Sequence, residues 1–490
     1  MEDLKQRKNN LLMFPLGTVG RDMMYCLVTN FLLTYILFTK GLTPAQLAAV
    51  TAIMVIARVF DALNDPIMGN IIENTKSRWG KFKPWLVIGM LLSSVVVYMV
   101  FSTKLTGWNF IILFGVFYFS FSIAYTMHDI SYWGLVPALS SDANARDQFT
   151  SRATLCAGIG GTTASILIPM LTTGEMTIGG NSSTAYACIA LAIGILMPLF
   201  LCFTLFGVKE RRETPVKTEK SAGGLKKIIK TIKENDQLRW ISVIFLIQQI
   251  GNGLVVGGLG STYIYFEYGY EGGLYSLFTT VGMSATAFLM IFYPTISKKM
   301  HRKPLMTLMA IISVIGYVLM IASRPVPGDG GFWVLVIGYM LSNFGQYCYY
   351  LVMMISIINT VEYNEYKIGT RDEAIIASVR PFITKMSSAL IVVITTASYM
   401  MFGVTNYTNQ ISDYESAAAS GTMTETAKLT AIEGVISGVE RGQTFGLLIF
   451  MTVLPCALML LSYFLYQKKY TLDEAEYDRI CAEITAKKEA

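Results

Sequence analysis

Long apolar segments alternate with short polar stretches along the whole chain. Twelve of these segments reach the length of about 20 residues that a helix needs to cross the hydrocarbon core of a bilayer. Lipid offers no hydrogen-bond partner to an open backbone, so these segments are predicted to be helices. They cover residues 11–39, 46–73, 84–103, 108–139, 149–173, 184–208, 238–266, 274–297, 304–323, 332–361, 373–404 and 443–467. The pattern predicts an all-α membrane protein with 12 transmembrane helices.

The composition agrees with a chain that lies mostly inside a membrane. Hydrophobic residues make up 53% of the 490 residues, whereas charged residues make up 15%. A soluble domain carries about 25% charged residues, and a disordered chain is poorer in apolar residues. The composition therefore excludes a disordered chain, a nucleic-acid-binding protein and a disulfide-rich secreted module.

The positions of lysine and arginine predict how the chain is oriented. Of the 39 basic residues, 28 lie at the two chain ends and in one set of loops, whereas five lie in the opposite set. Basic residues concentrate in cytoplasmic loops, so both termini are expected in the cytoplasm, in a multi-pass protein of the bacterial plasma membrane. The net charge of +6 then reflects topology rather than a nucleic-acid partner.

A weak internal repeat relates the two halves of the chain. Lys83-Pro84 follows the second segment and Lys303-Pro304 follows the eighth, at an offset of 220 residues. Arg146-Asp147 precedes the fifth segment and Arg371-Asp372 precedes the eleventh, at an offset of 225 residues. Two similar offsets in matching loops favour a duplication of six helices. This is the plan of the major facilitator fold, which binds its substrate near the membrane midplane between the halves.

The repeat predicts where the domains begin and end. The basic stretch between the sixth and seventh segments would be a cytoplasmic linker, and the polar end of the chain would be a cytoplasmic tail. The predicted parts are a six-helix bundle at 1–208, the linker at 209–237, a second six-helix bundle at 238–467 and the tail at 468–490. A further polar stretch at 405–440 is expected to be a long, solvated outer loop with room for one short helix.

Charged residues inside the apolar segments are costly and indicate function by default. In the second segment, Arg58, Asp61 and Asp65 lie at i, i+3 and i+7 and share one face of a helix. Two carboxylates one turn apart repel each other at low dielectric, so the pair is expected to hold a proton or bind a cation. Asn64 adds a neutral oxygen, and such ligands suit Na⁺ as well as H⁺. The alternative is that Arg58 neutralises one aspartate and the group only braces the helix.

The fourth segment carries an acidic and aromatic face. Tyr125, Asp129 and Trp133 lie at i, i+4 and i+8, on one side of a helix. A carboxylate that accepts hydroxyl hydrogen bonds beside aromatic rings is typical of a carbohydrate site. Two aromatic residues at this spacing are more often core packing, and Asp129 is the residue that favours a site. His128 lies about 100° round the helix and is expected to be a packed histidine rather than a proton relay.

The first segment adds another acidic position. Asp22 lies next to Arg21 in the sequence and shares its helix face with Tyr25. Arg152 in the fifth segment and Lys385 in the eleventh are the expected counter-charges. If all are ionised, the net charge of this set is −1, from four aspartates and three basic residues: Asp22, Asp61, Asp65, Asp129, Arg58, Arg152 and Lys385. One monovalent cation would neutralise that charge.

Several longer stretches resemble a known family. They are GTVGRD in the first segment, DALNDPIMG in the second, SRWGKFKPWLVIG after it and YTMHDISYWGLVPALS in the fourth. The C-terminal half continues the likeness with VEYNEYKIGTRDEAIIASV. The chain thus resembles the glycoside-pentoside-hexuronide:cation symporters of the major facilitator superfamily, most strongly in its N-terminal half.

The resemblance implies roles for individual residues. Four match the family's cation site, which would bind a metal ion if coupling uses Na⁺: Asp61, Asp65, Asn64 and Thr126. Five fall where the family holds its sugar: Asp22, Tyr125, Asp129, Trp133 and Arg152. Two basic residues complete the set, namely Arg21 beside the sugar-binding aspartate and Lys385 near both sites. Arg58 is expected in the charge network of the cation site.

One position departs from the family pattern. Arg380-Pro381 stands where the best-known member of the family has uncharged polar residues. An additional arginine would favour an anionic sugar over an α-galactoside. Arg380 is five residues from Lys385, about 140° round the helix, so it is equally expected to face the cytoplasmic half or another helix.

The expected function is secondary active transport, in which a glycoside, pentoside or hexuronide enters together with Na⁺ or H⁺. The alternative is a transporter of a lipid-like or other amphiphilic substrate, against which the charges in the pocket argue. An enzyme is not expected, because His128 and His301 are the only histidines. A sensor would need an output domain of about 50 residues, and the tail at 468–490 is shorter. The expected partners are the sugar, the cation and the lipid bilayer, with no cofactor and no obligate protein partner.

Overall fold

All regular secondary structure in the part of the chain that the structure describes is helical. The computed structural model describes residues 2–140, 143–209, 225–370 and 372–489. In these ranges it contains 18 α-helices, one π-helical turn at Leu27–Phe31 and one 3-10 turn at Ile178–Gly180. The first helices are α1 Glu2–Cys26, α2 Leu32–Thr39, α3 Pro44–Glu73, α4 Lys83–Ser102, α5 Gly107–Leu139, α6 Ala143–Thr172, α7 Ser182–Gly207, α8 Leu225–Glu234 and α9 Asp236–Gly253. The later helices are α10 Gly258–Tyr268, α11 Gly272–Lys299, α12 Arg302–Ala322, α13 Asp329–Ile368, α14 Glu373–Met401, α15 Val404–Ala419, α16 Glu425–Ser437, α17 Arg441–Lys469 and α18 Glu474–Glu489.

Eleven helical segments of the described ranges are long and apolar enough to cross a membrane. The first, Gln6–Thr39, joins α1 and α2 through the π-helical turn, and another, Asp236–Tyr268, joins α9 and α10. The remaining predicted segment, 274–297, lies inside α11, a helix of 28 residues. The predicted all-α membrane fold is confirmed, with twelve as the approximate number of spanning helices.

Local sequence signals explain where α3 begins. The Thr43 hydroxyl accepts a hydrogen bond from the Gln46 backbone N–H at 3.3 Å, and the Gln46 side chain accepts one from the Thr43 N–H at 3.0 Å. This reciprocal pair is a capping box. Pro44 at the first helical position lacks an N–H that the helix would leave unpaired. The helix that starts here is 30 residues long and carries Asp61 and Asp65.

The chain forms two compact units. The first unit comprises Met1–Val216, Ser261–Ser276 and Thr395–Thr444. The second unit comprises Lys217–Gly260, Leu277–Ile394 and Phe445–Ala490. Residues 210–224 of the predicted linker lie outside the described residues. The division of the chain into two six-helix bundles stays a prediction.

In the first unit, α1 packs against α6 and α7, while α5 packs against α3 and α4. Glycines allow α1 to approach both of its neighbours closely. A Cβ on Gly20 would lie 2.5 Å from the Met197 Cα, and a Cβ on Gly160 would lie 2.2 Å from the Val19 carbonyl oxygen. The close packing holds α1 in the interior of the unit, where Arg21, the residue after Gly20, is 4% exposed.

The polar stretch at 405–440 forms two helices, α15 and α16, so the prediction of a solvated loop was wrong there. Buried residues recur along α15 at helical spacing, at Val404, Thr408, Ile411 and Glu415. This face packs against α2. The helical periodicity was hidden because four of the six buried residues of α15 are polar. We refer to α15 and α16 together, residues 404–437, as the outer hairpin, after the outer loop that the sequence predicts for this stretch.

In the second unit, the long helix α13 packs against α9, α12 and α18. The predicted tail is folded onto this unit. The Tyr470 hydroxyl donates to the Ser356 carbonyl at 2.8 Å, and the Glu474 carboxylate accepts from the Arg302 backbone N–H at 2.7 Å. The last helix, α18, is therefore anchored at its start.

Candidate functional site

Arg21 joins two aspartates from different helices. Its Nη2 lies 2.7 Å from Oδ2 of Asp22, its Nε donates to the same oxygen at 2.9 Å, and its Nη1 donates to Oδ1 of Asp129 at 3.1 Å. Arg21 is buried, whereas the side chains of Asp22 and Asp129 are 23% and 39% exposed. A guanidinium carries five N–H donors in a rigid fork, so it can hold two carboxylates at once. The arginine orients both carboxylates and leaves part of each accessible.

Two aromatic rings of α5 flank the same guanidinium. The Arg21 Cζ lies 5.2 Å from the ring centroid of Tyr132 and 5.2 Å from that of Trp133, within the range of cation–π attraction. Tyr132 is buried, and its hydroxyl donates to the Phe14 carbonyl on α1. Tyr132 therefore helps to fix the arginine, and Trp133 presents a half-buried ring next to it.

Tyr25 and Tyr125 form a second contact between α1 and α5. Their rings stack with centroids 5.2 Å apart and planes inclined at 28°, and Tyr25 is 38% exposed. Tyr25 lies four residues after Arg21, and Tyr125 lies four residues before Asp129. Each tyrosine is thus about one helical turn from the Arg21–Asp129 pair. The stack extends the accessible aromatic surface near the two carboxylates.

A second charged group lies between α3 and α5. Asp61 is buried, accepts a hydrogen bond from the Ser122 hydroxyl and lies 3.8 Å from Nη1 of Arg58. One turn further on, Asp65 accepts from the Thr126 hydroxyl at 3.3 Å. Both pairs join residues 61 positions apart, so the two helices run side by side with hydroxyl and carboxyl groups in register.

Asn64 is a polar residue of α3 between these two carboxylates in the sequence. Among the described residues, its buried Nδ2 has no hydrogen-bond partner. A buried donor without a partner costs about 1–3 kcal/mol. The amide is therefore a group whose hydrogen bonding is incomplete in this structure.

The two groups have the same charge and share one helix. Each contains one arginine and two aspartates, which gives a formal net charge of −1 when all are ionised. We call them the Arg21 group, with Arg21, Asp22, Tyr25, Tyr125, Asp129 and Trp133, and the Arg58 group, with Arg58, Asp61, Asn64, Asp65, Ser122 and Thr126. Helix α5 contributes residues to both, so a shift of this helix would alter both groups together.

The structure also describes two further basic residues that were predicted from the sequence. Arg152 is exposed on α6, and its Nη1 donates to the Leu11 carbonyl at 3.3 Å. The expectation that Arg152 supplies the counter-charge in this region is corrected, because Arg21 pairs with both aspartates. Lys385 is half-buried on α14 in the second unit. Arg380 is exposed on the same helix and donates from Nη2 to the Tyr350 hydroxyl at 2.9 Å.

The structure also reveals contacts that sequence reasoning missed. Ser122, the partner of Asp61, was overlooked although it lies one turn before Thr126 on the same helix. The role of Tyr132 beside Arg21 was overlooked because only folding brings α1 against it. His128 is buried, with Nδ1 3.2 Å from the Leu86 carbonyl oxygen, which agrees with a packed histidine.

Comparisons with known proteins cover most of the chain. Residues 13–474 match the family model described as MFS/sugar transport protein. The chain is 28% identical to the lactose permease of Lactobacillus helveticus, over 97% of this chain and 71% of that protein. It is 27% identical to the raffinose carrier protein of Pediococcus pentosaceus, over 77% of this chain and 60% of that protein. The chain therefore spans between 60% and 71% of the length of these two relatives.

A solved structure supports the same fold. The bacterial homolog of the human lysosomal transporter Spinster matches 95% of this chain and 98% of its own, with a TM-score of 0.63 and 14% identity. At that identity the likeness concerns the fold alone, and together with the family match it confirms the predicted major facilitator architecture. The family match confirms the resemblance found in the sequence, and the chain belongs to the MFS/sugar transport protein family.

Proposed function

We propose that this protein imports a sugar together with a monovalent cation. The observation that carries the proposal is the pair of Arg-Asp-Asp groups, both inside apolar helices and both attached to α5. Ionisable residues at membrane depth mark substrate and ion pathways. Two such groups on one helix are what a transporter with two coupled substrates requires.

The Arg21 group is the proposed sugar site. Asp22 and Asp129 are oriented by Arg21 yet partly exposed, so their carboxylates can accept hydrogen bonds from sugar hydroxyls. The rings of Tyr25, Tyr125 and Trp133 offer flat apolar surfaces for the C–H faces of a sugar ring. The substrate class is a glycoside, pentoside or hexuronide, in line with the lactose and raffinose named for two relatives.

The Arg58 group is the proposed cation site, for Na⁺ or H⁺. Asp61, Asp65 and the Thr126 hydroxyl supply oxygen ligands of the kind that hard cations prefer. The Asn64 amide lacks a hydrogen-bond partner for its Nδ2 among the described residues, so it can turn and present its oxygen. Arg58 cancels one of the two carboxylates, and a single monovalent cation would cancel the other.

Coupling between the two sites is proposed to run through α5. A cation at Asp61 and Asp65 would draw Ser122 and Thr126 into fixed positions. Asp129 lies three residues after Thr126, about 4.5 Å along the helix, so the same movement adjusts the sugar site. Binding coupling is reciprocal, and sugar must therefore raise cation affinity by the factor by which cation raises sugar affinity.

Two further residues and the orientation belong to the same proposal. Arg152 and Lys385 are proposed to contribute to sugar binding, as the resemblance to the family implies. The protein would lie in the bacterial plasma membrane with both termini in the cytoplasm, as the basic loops predict. The outer hairpin would then face the outside of the cell.

Transport assays on the purified full chain in lipid vesicles test the function. Uptake of a labelled galactoside, a xyloside and a glucuronide is measured while a Na⁺ gradient or a pH gradient is imposed, each alone. We expect one gradient to drive at least one sugar above its equilibrium level. Uptake that never exceeds equilibrium under either gradient would exclude symport, and uptake of a lipid-like probe alone would favour the amphiphile alternative.

A further inference from the structure

The outer hairpin contains an ion pair that is completely buried. The Lys428 Nζ lies 3.4 Å from Oε1 of Glu415, and both side chains are 0% exposed. Burial raises the pKa of Glu415, against the opposing effects of Lys428 and the Ser182 N–H. An ion pair removed from water is favourable only when further hydrogen bonds compensate the lost hydration. The docked position of the hairpin therefore depends on the hydrogen bonds that other residues make to this ion pair.

The compensating hydrogen bonds come from outside the hairpin. The Ser182 backbone N–H donates to Oε2 of Glu415 at 2.7 Å, and the Tyr270 hydroxyl donates to Oε1 at 3.2 Å. The Lys428 ammonium donates to the Gly180 carbonyl at 2.9 Å. Glu415 and Lys428 thus each bind the segment that leads into α7.

Helix geometry strengthens the contact at Glu415. Ser182 is the first residue of α7, and the first N–H groups of a helix have no partner within it. The Asn181 side chain accepts from the Thr184 N–H, which leaves the Ser182 N–H for the carboxylate. The positive end of the helix dipole also favours a negative group at this position. A carboxylate from residue 415 therefore completes the N-terminus of a helix that starts 233 residues earlier.

The contact joins loops from the two halves of the sequence. Gly180 and Ser182 lie between the fifth and sixth predicted segments, whereas Glu415 and Lys428 lie between the eleventh and twelfth. If the chain transports a sugar as proposed above, outer loops from the two halves of the sequence must separate to admit it. We propose that the outer hairpin is the outer gate, and that the hydrogen bonds of Glu415 and Lys428 to Ser182 and Gly180 hold it shut.

Hydrogen exchange at the Ser182 amide tests the contacts directly and needs no sugar. In the full chain in lipid nanodiscs, Glu415→Gln leaves Lys428 buried without a charged partner, which strongly disfavours the docked state. We expect exchange of the Ser182 amide to accelerate by a factor of about 10²–10³, as is typical when a buried ion pair is broken. Glu433→Gln, on the exposed face of α16, is the matched control and should leave the rate unchanged.

A variant in which the two charges are swapped distinguishes docking of the hairpin onto Gly180 and Ser182 from ion pairing inside the hairpin. In the double variant Glu415→Lys/Lys428→Glu the two charges still pair, but an ammonium now faces the Ser182 N–H and a carboxylate faces the Gly180 carbonyl. We expect exchange at Ser182 to remain fast. Restored protection would overturn the proposal, because the pair would then act only inside the hairpin. Unchanged exchange at the Arg302 amide, which Glu474 protects in the second unit, verifies that the variants are folded.

A disulfide tests the gate in transport. A Cβ on Gly180 would lie 3.8 Å from the Cβ of Glu425, within the distance of about 3.5–4.5 Å that a disulfide spans. Oxidation of Gly180→Cys/Glu425→Cys should abolish sugar uptake, and a reductant should restore it. The single variant Gly180→Cys carries the same backbone strain from the φ of +72° and is the control. Full uptake in the oxidised double variant would overturn the gate, whereas the failure of wild-type uptake under any gradient would count against the proposed function instead.

Discussion

The Arg21 guanidinium on α1 donates from Nη1 to Oδ1 of Asp129 on α5, 3.1 Å away, although 108 residues separate the two in the chain. The same guanidinium also binds Asp22, its neighbour in sequence. One buried arginine therefore sets the spacing of two accessible carboxylates. This relationship makes Arg21 the positioning residue of the proposed sugar site.

Replacement of Arg21 should weaken sugar binding according to the geometry of the new side chain. Lysine keeps the charge but offers a compact ammonium in place of a rigid fork, so we expect Arg21→Lys to lower sugar affinity about tenfold. Arg21→Gln removes the positive charge that pairs with both carboxylates, and we expect a loss of about a hundredfold. Sugar binding measured by calorimetry checks both values. The control is Arg239→Lys, the same replacement at an exposed position on α9. Equal sugar affinity of Arg21→Lys and wild type would contradict the positioning role.

Removal of a carboxylate from the Arg58 group should separate cation coupling from sugar binding. Asp61→Asn keeps the shape of the residue that accepts from Ser122 but removes its charge. We expect loss of cation-driven accumulation, while sugar exchange without a gradient persists. Vesicle assays with and without the gradient measure the two activities. Asp413→Asn on the outer hairpin, where Asp413 is exposed, should behave like wild type; full cation-driven uptake by Asp61→Asn would refute the assignment.

The ring of Tyr25 should matter more than its hydroxyl. It stacks on Tyr125 with centroids 5.2 Å apart, and aromatic pairs contribute about 0.5–1.5 kcal/mol beyond their burial. We expect Tyr25→Ala to weaken sugar binding about three- to tenfold, and Tyr25→Phe to retain most of the affinity. Tyr98→Ala, at a similarly exposed tyrosine of α4 with 39% exposure, provides the comparison. A larger loss for Tyr25→Phe than for Tyr25→Ala would point to a hydrogen bond instead of a stacking surface.

The close contact at Gly160 predicts a stability difference between two glycines of α6. A Cβ at Gly160 would lie 2.2 Å from the Val19 carbonyl oxygen, whereas nothing lies within 4 Å of a Cβ at Gly158. Overpacking costs about 1–3 kcal/mol, so Gly160→Ala should lower the Tm in detergent. Gly158→Ala should be neutral or slightly stabilising, since alanine is the better helix former. Equal melting temperatures would show that α1 and α6 can shift apart freely.

The C-terminal helix α18 should undock in acid. Burial acts in the opposite direction, but the Arg302 backbone N–H and guanidinium hold the pKa of Glu474 below its ordinary value of 4.5. A carboxylate with a lowered pKa stabilises docking above its ordinary pKa, and this contribution is lost as the pH falls through the lowered pKa. Glu474→Gln should therefore speed hydrogen exchange in α18 at pH 7 and remove the acid dependence. Asp478→Asn, exposed on the same helix, should change neither the exchange rate nor its dependence on pH.

The sequence by itself determined the fold class, the membrane-spanning helices and the family. Apolar length requires a helix wherever a chain crosses lipid, and the cost of charge in an apolar segment makes Asp22, Asp61, Asp65 and Asp129 conspicuous. Helical spacing also placed Tyr125, Asp129 and Trp133 on one face. These properties are local, because each depends on one segment and the solvent around it.

Only the tertiary structure decided which residues pair. The sequence favoured Arg152 as a counter-charge, yet glycine contacts seat α1 in the interior and bring Arg21 to Asp129. Ser122 acquired a role only when α3 packed in register with α5. The outer hairpin looked like a solvated loop because polar residues, among them Glu415 and Lys428, occupy most of its buried positions. The burial of this pair depends on the Ser182 N–H, 233 residues before Glu415. Partners so far apart in the chain meet only when helices pack together, and the sequence of one segment does not determine that packing.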